Sequence, residues 1–121
     1  MTSSCADTAI WLSNTTGYIE PIDNSKATKY KSNMNCTWNI TSNGQIDLVF
    51  IRLDTEDKQD KVVIHDGRSA SAPVIGTLFG DTTPQESFTS TLNNLFVRFE
   101  SDGSKEYRGF LARYRGRFVY M

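Results

Sequence analysis

The middle of the chain carries a concentration of carboxylates. Within thirteen residues the sequence places Asp54, Glu56, Asp57, Asp60 and Asp66. Calcium and similar hard cations take about six to eight oxygen ligands from carboxylates, carbonyls and water, and this segment can supply several of them. The spacing is not that of an EF-hand, and Lys58 and Lys61 lie among the acids. The segment therefore predicts either a calcium site or a solvated acidic loop.

A second group of charges is basic and lies near the carboxyl end. Five of the seven arginines fall there, namely Arg98, Arg108, Arg113, Arg115 and Arg117. If the final strand continues through residue 117, the last three share one face at intervals of about 6.8 Å. Such a row suits a sulfated glycan or another polyanion. The alternative is an outer face or edge strand that charge keeps soluble.

Two features indicate an extracellular compartment. The only cysteines are Cys5 and Cys36, without a CxxC or zinc spacing. Glycosylation sequons begin at Asn14, Asn35 and Asn39. We therefore expect a secreted protein or the ectodomain of a membrane protein. If the cysteines pair, the closed loop stabilises the fold by about 3–4 kcal/mol; otherwise they are two buried thiols.

Catalytic motifs are missing from the sequence. There is no GxSxG elbow, HExxH helix, Walker loop or GxGxxG turn. The one histidine, His65, ends an apolar run before Asp66-Gly67, and we expect an outward side chain hydrogen-bonded to its neighbours. We predict that the chain is not an enzyme.

The elements that must position these residues are strands. Hydrophobic residues recur with period two over residues 38–40, 46–51, 62–64, 95–100 and 110–115. Turn signals such as Asp66-Gly67 and Gly80-Asp81 separate the runs, and residues 23–32 predict a polar loop. Many short strands without a helical stretch predict an all-β sandwich or barrel.

Length and charge narrow the class further. A chain of 121 residues predicts one domain, residues 1–121. The formal net charge of −1 gives no general attraction to nucleic acid. No apolar run exceeds four residues, the length of residues 48–51, so we expect no membrane insertion. Met1-Thr2-Ser3-Ser4 lacks the character of a signal peptide, and we expect that any leader has been removed.

Taken in order, several segments resemble a CUB domain over residues 5–115. The matching segments are Cys5 with Gly17-Tyr18-Ile19, Tyr30 with Cys36-Thr37-Trp38-Asn39-Ile40, Ile46-Asp47-Leu48-Val49-Phe50 with Leu53-Asp54-Thr55-Glu56, Asp60-Lys61-Val62-Val63-Ile64-His65-Asp66-Gly67, Ile75-Gly76-Thr77-Leu78-Phe79-Gly80, Phe99-Glu100-Ser101-Asp102-Gly103-Ser104, and Gly109-Phe110-Leu111-Ala112-Arg113-Tyr114. The resemblance implies a two-sheet antiparallel β-sandwich of jelly-roll topology, used as an extracellular recognition module and not as a catalyst.

The resemblance also implies a site. A large subset of the family binds calcium through one Glu and two Asp, which correspond here to Glu56, Asp60 and Asp102, with the Gly103 carbonyl as a further ligand. A Lys or Arg of an extracellular partner protein then reaches these carboxylates. We expect Glu56, Asp102 and Tyr18 to contact the partner.

The sequence departs from the family pattern in its second disulfide. No cysteine lies between Glu56 and Asp60, and Phe79 stands where the family has the other one. The resulting loop is short, so Asp54 or Asp57 is an alternative ligand to Glu56. Three functions remain: a calcium-organised protein-binding module, a glycan- or polyanion-binding module that uses Arg113, Arg115 and Arg117, and a structural spacer in a larger receptor or protease.

Overall fold

The computed structural model describes residues 2–3, 10–11, 16–21, 35–55, 60–81, 84, 87–101 and 109–116. The elements are all strands: β1 (Thr2–Ser3), β2 (Ile10–Trp11), β3 (Thr16–Ile19), β4 (Asn35–Thr41), β5 (Ile46–Asp54), β6 (Lys61–His65), β7 (Val74–Leu78), β8 (Phe88–Thr89), β9 (Asn94–Glu100) and β10 (Gly109–Gly116). Within these ranges no helix is long and apolar enough to span a bilayer.

The strands form two five-stranded sheets. Sheet A has the order β1-β3-β10-β5-β8, and sheet B has the order β2-β4-β9-β6-β7. Two pairings are parallel, β1 with β3 and β2 with β4, and both involve two-residue strands. All the other described pairings are antiparallel. The predicted all-β, two-sheet sandwich is confirmed.

The period-two pattern buries one face of each sheet. Along β4, Cys36, Trp38 and Ile40 point inward, and along β9 Leu95, Val97 and Phe99 do the same. Sheet A contributes a matching inner face, and the aromatic rings meet between the sheets. Phe110 lies at their centre, with its ring centroid 5.6 Å from Trp38, 5.6 Å from Phe50 and 5.8 Å from Phe99. Tilted and edge-on rings at such distances attract one another, and they hold the two sheets together.

Gly76 brings β7 close to sheet A. A Cβ atom there would lie 2.6 Å from Phe88 Cε1 and 3.1 Å from Ile64 Cδ1. Only glycine leaves room for the Phe88 ring, which packs edge-on against Phe50 with centroids 6.0 Å apart. This contact closes the side of the sandwich where β7 in sheet B faces β8 in sheet A.

Candidate functional site

The strand register brings the predicted calcium segments to one end of the sandwich. In sheet B, Lys61 pairs with Glu100, so Asp60 and Ser101 both lie just beyond the paired part of β6 and β9. In sheet A, Asp54 pairs with Gly109 at the ends of β5 and β10. The connections after β5 and after β9 therefore leave the sheets at the same end, which we call the loop end.

Thr55 organises the loop end. Its Oγ1 donates a hydrogen bond of 3.0 Å to the Asp60 carbonyl and accepts one of 3.0 Å from the Gly80 amide. The Thr55 amide donates to the Gly80 carbonyl at 2.8 Å. Gly80 has a φ of 85°, a left-handed conformation that glycine adopts without strain. One buried threonine thus fixes residue 60 against the segment that follows β7.

Of the four ligands that the resemblance implies, Asp60 is the one that the structure describes, and it is fully buried. Asp54, the alternative to Glu56, is half-buried at the end of β5. The Asp60 carboxylate offers the hard oxygens that calcium prefers, and the residue stands at the loop end, so its chemistry and its position suit a metal site. Glu56, Asp57, Asp102 and Gly103 lie outside the described residues. Among the residues that are described, no group of three or more His, Cys, Asp or Glu is arranged to hold a metal.

Asp66 does not belong with the other acids. It lies at the far end of β6, where its carboxylate accepts hydrogen bonds from the Thr91 amide at 2.8 Å and from the Thr91 hydroxyl at 2.5 Å. Five residues of strand separate Asp60 from Asp66. The acidic group that the sequence presents as one cluster is therefore divided between the two ends of the sandwich.

The outer face of sheet A carries two of the predicted arginines. Arg113 and Arg115 are exposed on the same face of β10, as the alternation predicts, and Arg117 lies outside the described residues. They line a cleft of about 250 Å³ together with Asp47, Val49 and Ser87. The Arg115 guanidinium lies 3.7 Å from the Asp47 carboxylate, so part of its charge is neutralised.

Asp47 is a site residue that the sequence analysis missed. Its side chain is only 10% exposed although it points to the outer face, because Thr89 donates a 2.7 Å hydrogen bond to Oδ1 while Arg115 lies beside Oδ2. The alternation of β5 predicts an outward Asp, but no sequence signal places Thr89 and Arg115 beside it.

Tyr18 lies away from the loop end. It is half-buried on β3 and pairs with Arg113 across the sheet. Arg113 is four residues along β10 from Gly109 at the loop end, a distance of about 14 Å along a strand. The strands thus bring Tyr18 to the arginines and not to Asp60, and its contact with a partner stays a prediction.

His65 faces outward from sheet B and is hydrogen-bonded to its neighbours as expected, but the side chain is buried there. Its Nδ1 donates to the Ala72 carbonyl at 2.9 Å, and Nε2 accepts from Arg98 Nε at 3.0 Å. Arg98 in turn donates to Glu100 at 2.6 Å. The His65 ring also packs edge-on against Phe96, with centroids 5.7 Å apart. This chain of hydrogen bonds joins β6 to β9 and engages Arg98, which the sequence presents as part of the basic group.

The cysteine and glycosylation predictions are described only in part. Cys36 is fully buried on β4 and is not a free thiol, while Cys5 and Asn14 lie outside the described residues. Asn35 is exposed at the start of β4. Asn39 is half-buried, with Nδ2 donating to the Arg68 carbonyl at 3.2 Å and Oδ1 buried without a partner among the described residues. The pairing of Cys5 with Cys36 and the three glycosylation sites stay predictions.

Comparison of the sequence with models of known families gives a match over most of the chain. The model of the family described as CUB domain matches residues 5–114. Human Tolloid-like protein 1 is 37% identical over 90 residues, which are 69% of this chain and 9% of that protein. The chain therefore spans less than a tenth of the length of this relative.

Comparison with solved structures finds proteins that contain the same two-sheet fold. The full extracellular region of zebrafish Gpr126/Adgrg6 contains one with a TM-score of 0.76 at 24% identity, covering 97% of this chain and 15% of that one. The MASP-1 CUB2 domain bound to Ca²⁺ has a TM-score of 0.70 at 24% identity, covering 88% of this chain and 96% of that domain. At such identities the likeness shows a shared fold.

Proposed function

This chain belongs to the CUB domain family, and on that premise we propose that its loop end is a calcium-organised acidic site that receives a basic side chain of an extracellular partner protein. CUB domains are non-catalytic, extracellular protein-interaction modules of proteases and receptors. The proposal adds the cation and the kind of partner group to that general role.

The observation that carries the proposal is the fully buried Asp60, held by Thr55 at the end where residues 60 and 101 lie side by side. Glu56, Asp60, Asp102 and the Gly103 carbonyl would hold the ion, and all four offer the hard oxygens that calcium prefers. A structure of Ca²⁺ bound to another CUB domain supports the same choice of metal.

Calcium would supply positive charge that lets several carboxylates stand close together without repelling one another. The carboxylate oxygens of Glu56 and Asp102 that face outward would then accept charge-assisted hydrogen bonds from a Lys or Arg of the partner. Thr55 has a separate role, because it fixes the backbone on which Asp60 stands. The partner class that follows is an extracellular protein with an exposed basic residue.

Calorimetric titration of calcium into chelator-treated protein tests the proposal. We expect saturable binding at one site that Asp102→Asn abolishes. Asp66→Asn is the matched control, because it removes the same charge at the opposite end of β6 and leaves a side-chain oxygen for Thr91. If the wild-type protein gives no heat and no change in melting temperature at millimolar calcium, the calcium site does not exist.

A second candidate function is binding of a sulfated glycan or other polyanion at the outer face of sheet A. The observation in its favour is the neighbouring pair of exposed arginines, Arg113 and Arg115, beside a cleft. Asp47 weakens this candidate because it already faces Arg115. Arg117 is proposed as the third member of the row, and Tyr18 borders the pair.

Chromatography on heparin distinguishes the two candidates. If the arginine face binds polyanions, the retention of the protein on heparin falls as the salt concentration rises and does not change when a chelator is added. The Arg113→Gln variant should be retained less than the wild type. Arg68→Gln is the control, since Arg68 is exposed on the turn between β6 and β7. Equal retention of both variants would remove the arginine face from consideration. A chain that is only a spacer gives neither calcium heat nor salt-dependent retention.

A pairing of Cys5 with Cys36, sugar on the sequons at Asn14, Asn35 and Asn39, and a single domain over residues 1–121 complete the proposal. Burial of Cys36 supports the first of these, and exposure of Asn35 supports glycosylation there. The side chain of Asn39 is half-buried, so the sequon at Asn39 is less accessible than the one at Asn35.

A further inference from the structure

β7 is an edge strand with an unusual composition. It pairs with β6 on one side and ends sheet B on the other. The sequence from residue 74 to residue 79 contains no charged residue and no proline. Natural edge strands normally carry such residues because they prevent pairing with another chain. The exposed fractions of Val74, Ile75 and Phe79 are 55%, 37% and 38%, so β7 presents apolar side chains to solvent.

The outer edge of β7 has no partner among the described residues. The backbone hydrogen bonds of Val74–Leu78 go to β6, and the neighbouring bonds at Pro73 and Gly80 also lead back into the sandwich. In an antiparallel pair, every second residue directs its amide and carbonyl away from its neighbour. Water satisfies these groups in the monomer, and an extended backbone beside them makes the same hydrogen bonds, so this edge suits another strand.

The other sheet edges offer fewer backbone hydrogen bonds to an added strand. β1, β2 and β8 end the remaining sides of the two sheets, and each has two residues. β7 has five residues and is the longest terminal strand of either described sheet. It is therefore the edge at which a further strand gains the most hydrogen bonds.

We propose that β7 pairs antiparallel with β7 of a second copy of this chain, about a twofold axis at Thr77. In this register Thr77 faces its own counterpart, and Ile75 of each copy faces Phe79 of the other on the outer face. A β-branched residue opposite an aromatic one, and Thr opposite Thr, are favourable cross-strand pairs. The small Gly76 faces the large Leu78 on the inner side. The strand is complementary to itself, and no like charges oppose the pairing.

The dimer is weak, because two five-residue strands bury less than the roughly 1,200 Å² of a standard interface. A bulge at the Val74 end of β7, where the register with β6 shifts between Ile64 and His65, limits the pairing further. We therefore expect association between micromolar and millimolar concentrations. The pairing uses β7 and Phe79 and none of the proposed calcium ligands, so the inference is independent of calcium.

Sedimentation velocity over that concentration range tests the proposal. The wild-type chain should pass from monomer to dimer, with or without a chelator. Thr77→Lys places two like charges against each other on the axis and should weaken association by about tenfold or more. Thr77→Glu should do the same. An equimolar mixture of the two variants should recover a dimer, since each mixed pair sets opposite charges across the axis.

The controls separate pairing from misfolding and from general stickiness. Thr77 is exposed, so both variants should keep the wild-type melting temperature measured at low concentration. Leu92→Lys removes a large apolar side chain that is 74% exposed, the most exposed among the described residues, and remote from β7 in sequence, and should leave the dimer unchanged. A wild-type monomer at all concentrations overturns the proposal. If the wild type dimerises but the mixture of Thr77→Lys and Thr77→Glu does not, the twofold register at Thr77 is overturned and the dimer forms through another surface.

Discussion

At the scale of single residues, Thr55 connects the fold to the proposed site. It is 3% exposed, and its hydroxyl bonds both the Asp60 carbonyl and the Gly80 amide. These two segments are far apart in sequence and carry no disulfide, since neither contains a cysteine. The threonine therefore determines how firmly residue 60 is held at the loop end.

We predict that Thr55→Val lowers the free energy of unfolding by about 1–3 kcal/mol, because it leaves the partly buried Gly80 amide without its hydroxyl acceptor while it preserves the shape of the side chain. Urea denaturation measures the change. Thr55→Ser is the control and should recover most of the stability, because it keeps the hydroxyl. Equal stability of the valine and serine variants would show that the hydroxyl has no such role.

Tyr114 gives a prediction about alkaline pH. Burial raises the pKa of Tyr114 above its ordinary value of 10.0. Since the folded pKa is the higher one, the unfolded chain loses this proton first as the pH rises. The contribution of neutral Tyr114 is fully present below about pH 10 and is lost as the pH rises through the folded pKa. The free energy of unfolding of Tyr114→Phe should therefore fall less steeply above about pH 10 than that of the wild type; parallel curves would contradict this.

The sequence predicted which face of a strand a side chain occupies better than it predicted which residues of other strands contact that side chain. The alternation of β10 correctly placed Arg113 and Arg115 on one exposed face. The sequence clustered Asp66 with Asp60 because proximity along the chain was the only available measure, and an extended strand separates them. The outward orientation of His65 was predicted but its burial was not, because the contacts that cover it, with Arg98 and Phe96 of β9, come from a distant strand.

At the scale of elements, period two predicted the long strands well. β4, β5, β9 and β10 each have an apolar face that meets the core, and the sequence shows that face directly. β7 is different, because Gly76 replaces a core side chain and Val74 and Ile75 are exposed. Its alternation is therefore weak, and only the family resemblance marked this segment. The two-residue strands are too short for any periodic signal.

We predict that Gly76→Ala destabilises the fold by about 1–3 kcal/mol, a typical result of overpacking a core. The added Cβ would lie 2.6 Å from the Phe88 ring, which is confined by its edge-on contact with Phe50. Thermal unfolding compares this variant with Thr77→Ala, whose side chain is exposed on the same strand and which should have little effect. If both variants melt together, the close approach of Phe88 does not constrain β7.

At the scale of the whole molecule, the two sheets separate the surfaces that could bind. The loop end carries Asp60, the outer face of sheet A carries Arg113 and Arg115, and the edge of sheet B carries β7. The fold was predictable because it depends on patterns that repeat along the chain. The proposed site could be specified residue by residue only through the family resemblance, since its expected ligands come from two connections whose meeting depends on strand register.

Amide chemical shifts recorded during a calcium titration test the central claim most directly, because they locate the ion as well as detect it. We predict shifts concentrated at Asp60, Lys61, Glu100 and Ser101, where β6 begins and β9 ends, and no change at Arg113. An absence of shifts at saturating millimolar calcium, or shifts that centre on the arginine face, would contradict the assignment of a calcium-organised acidic site to the loop end.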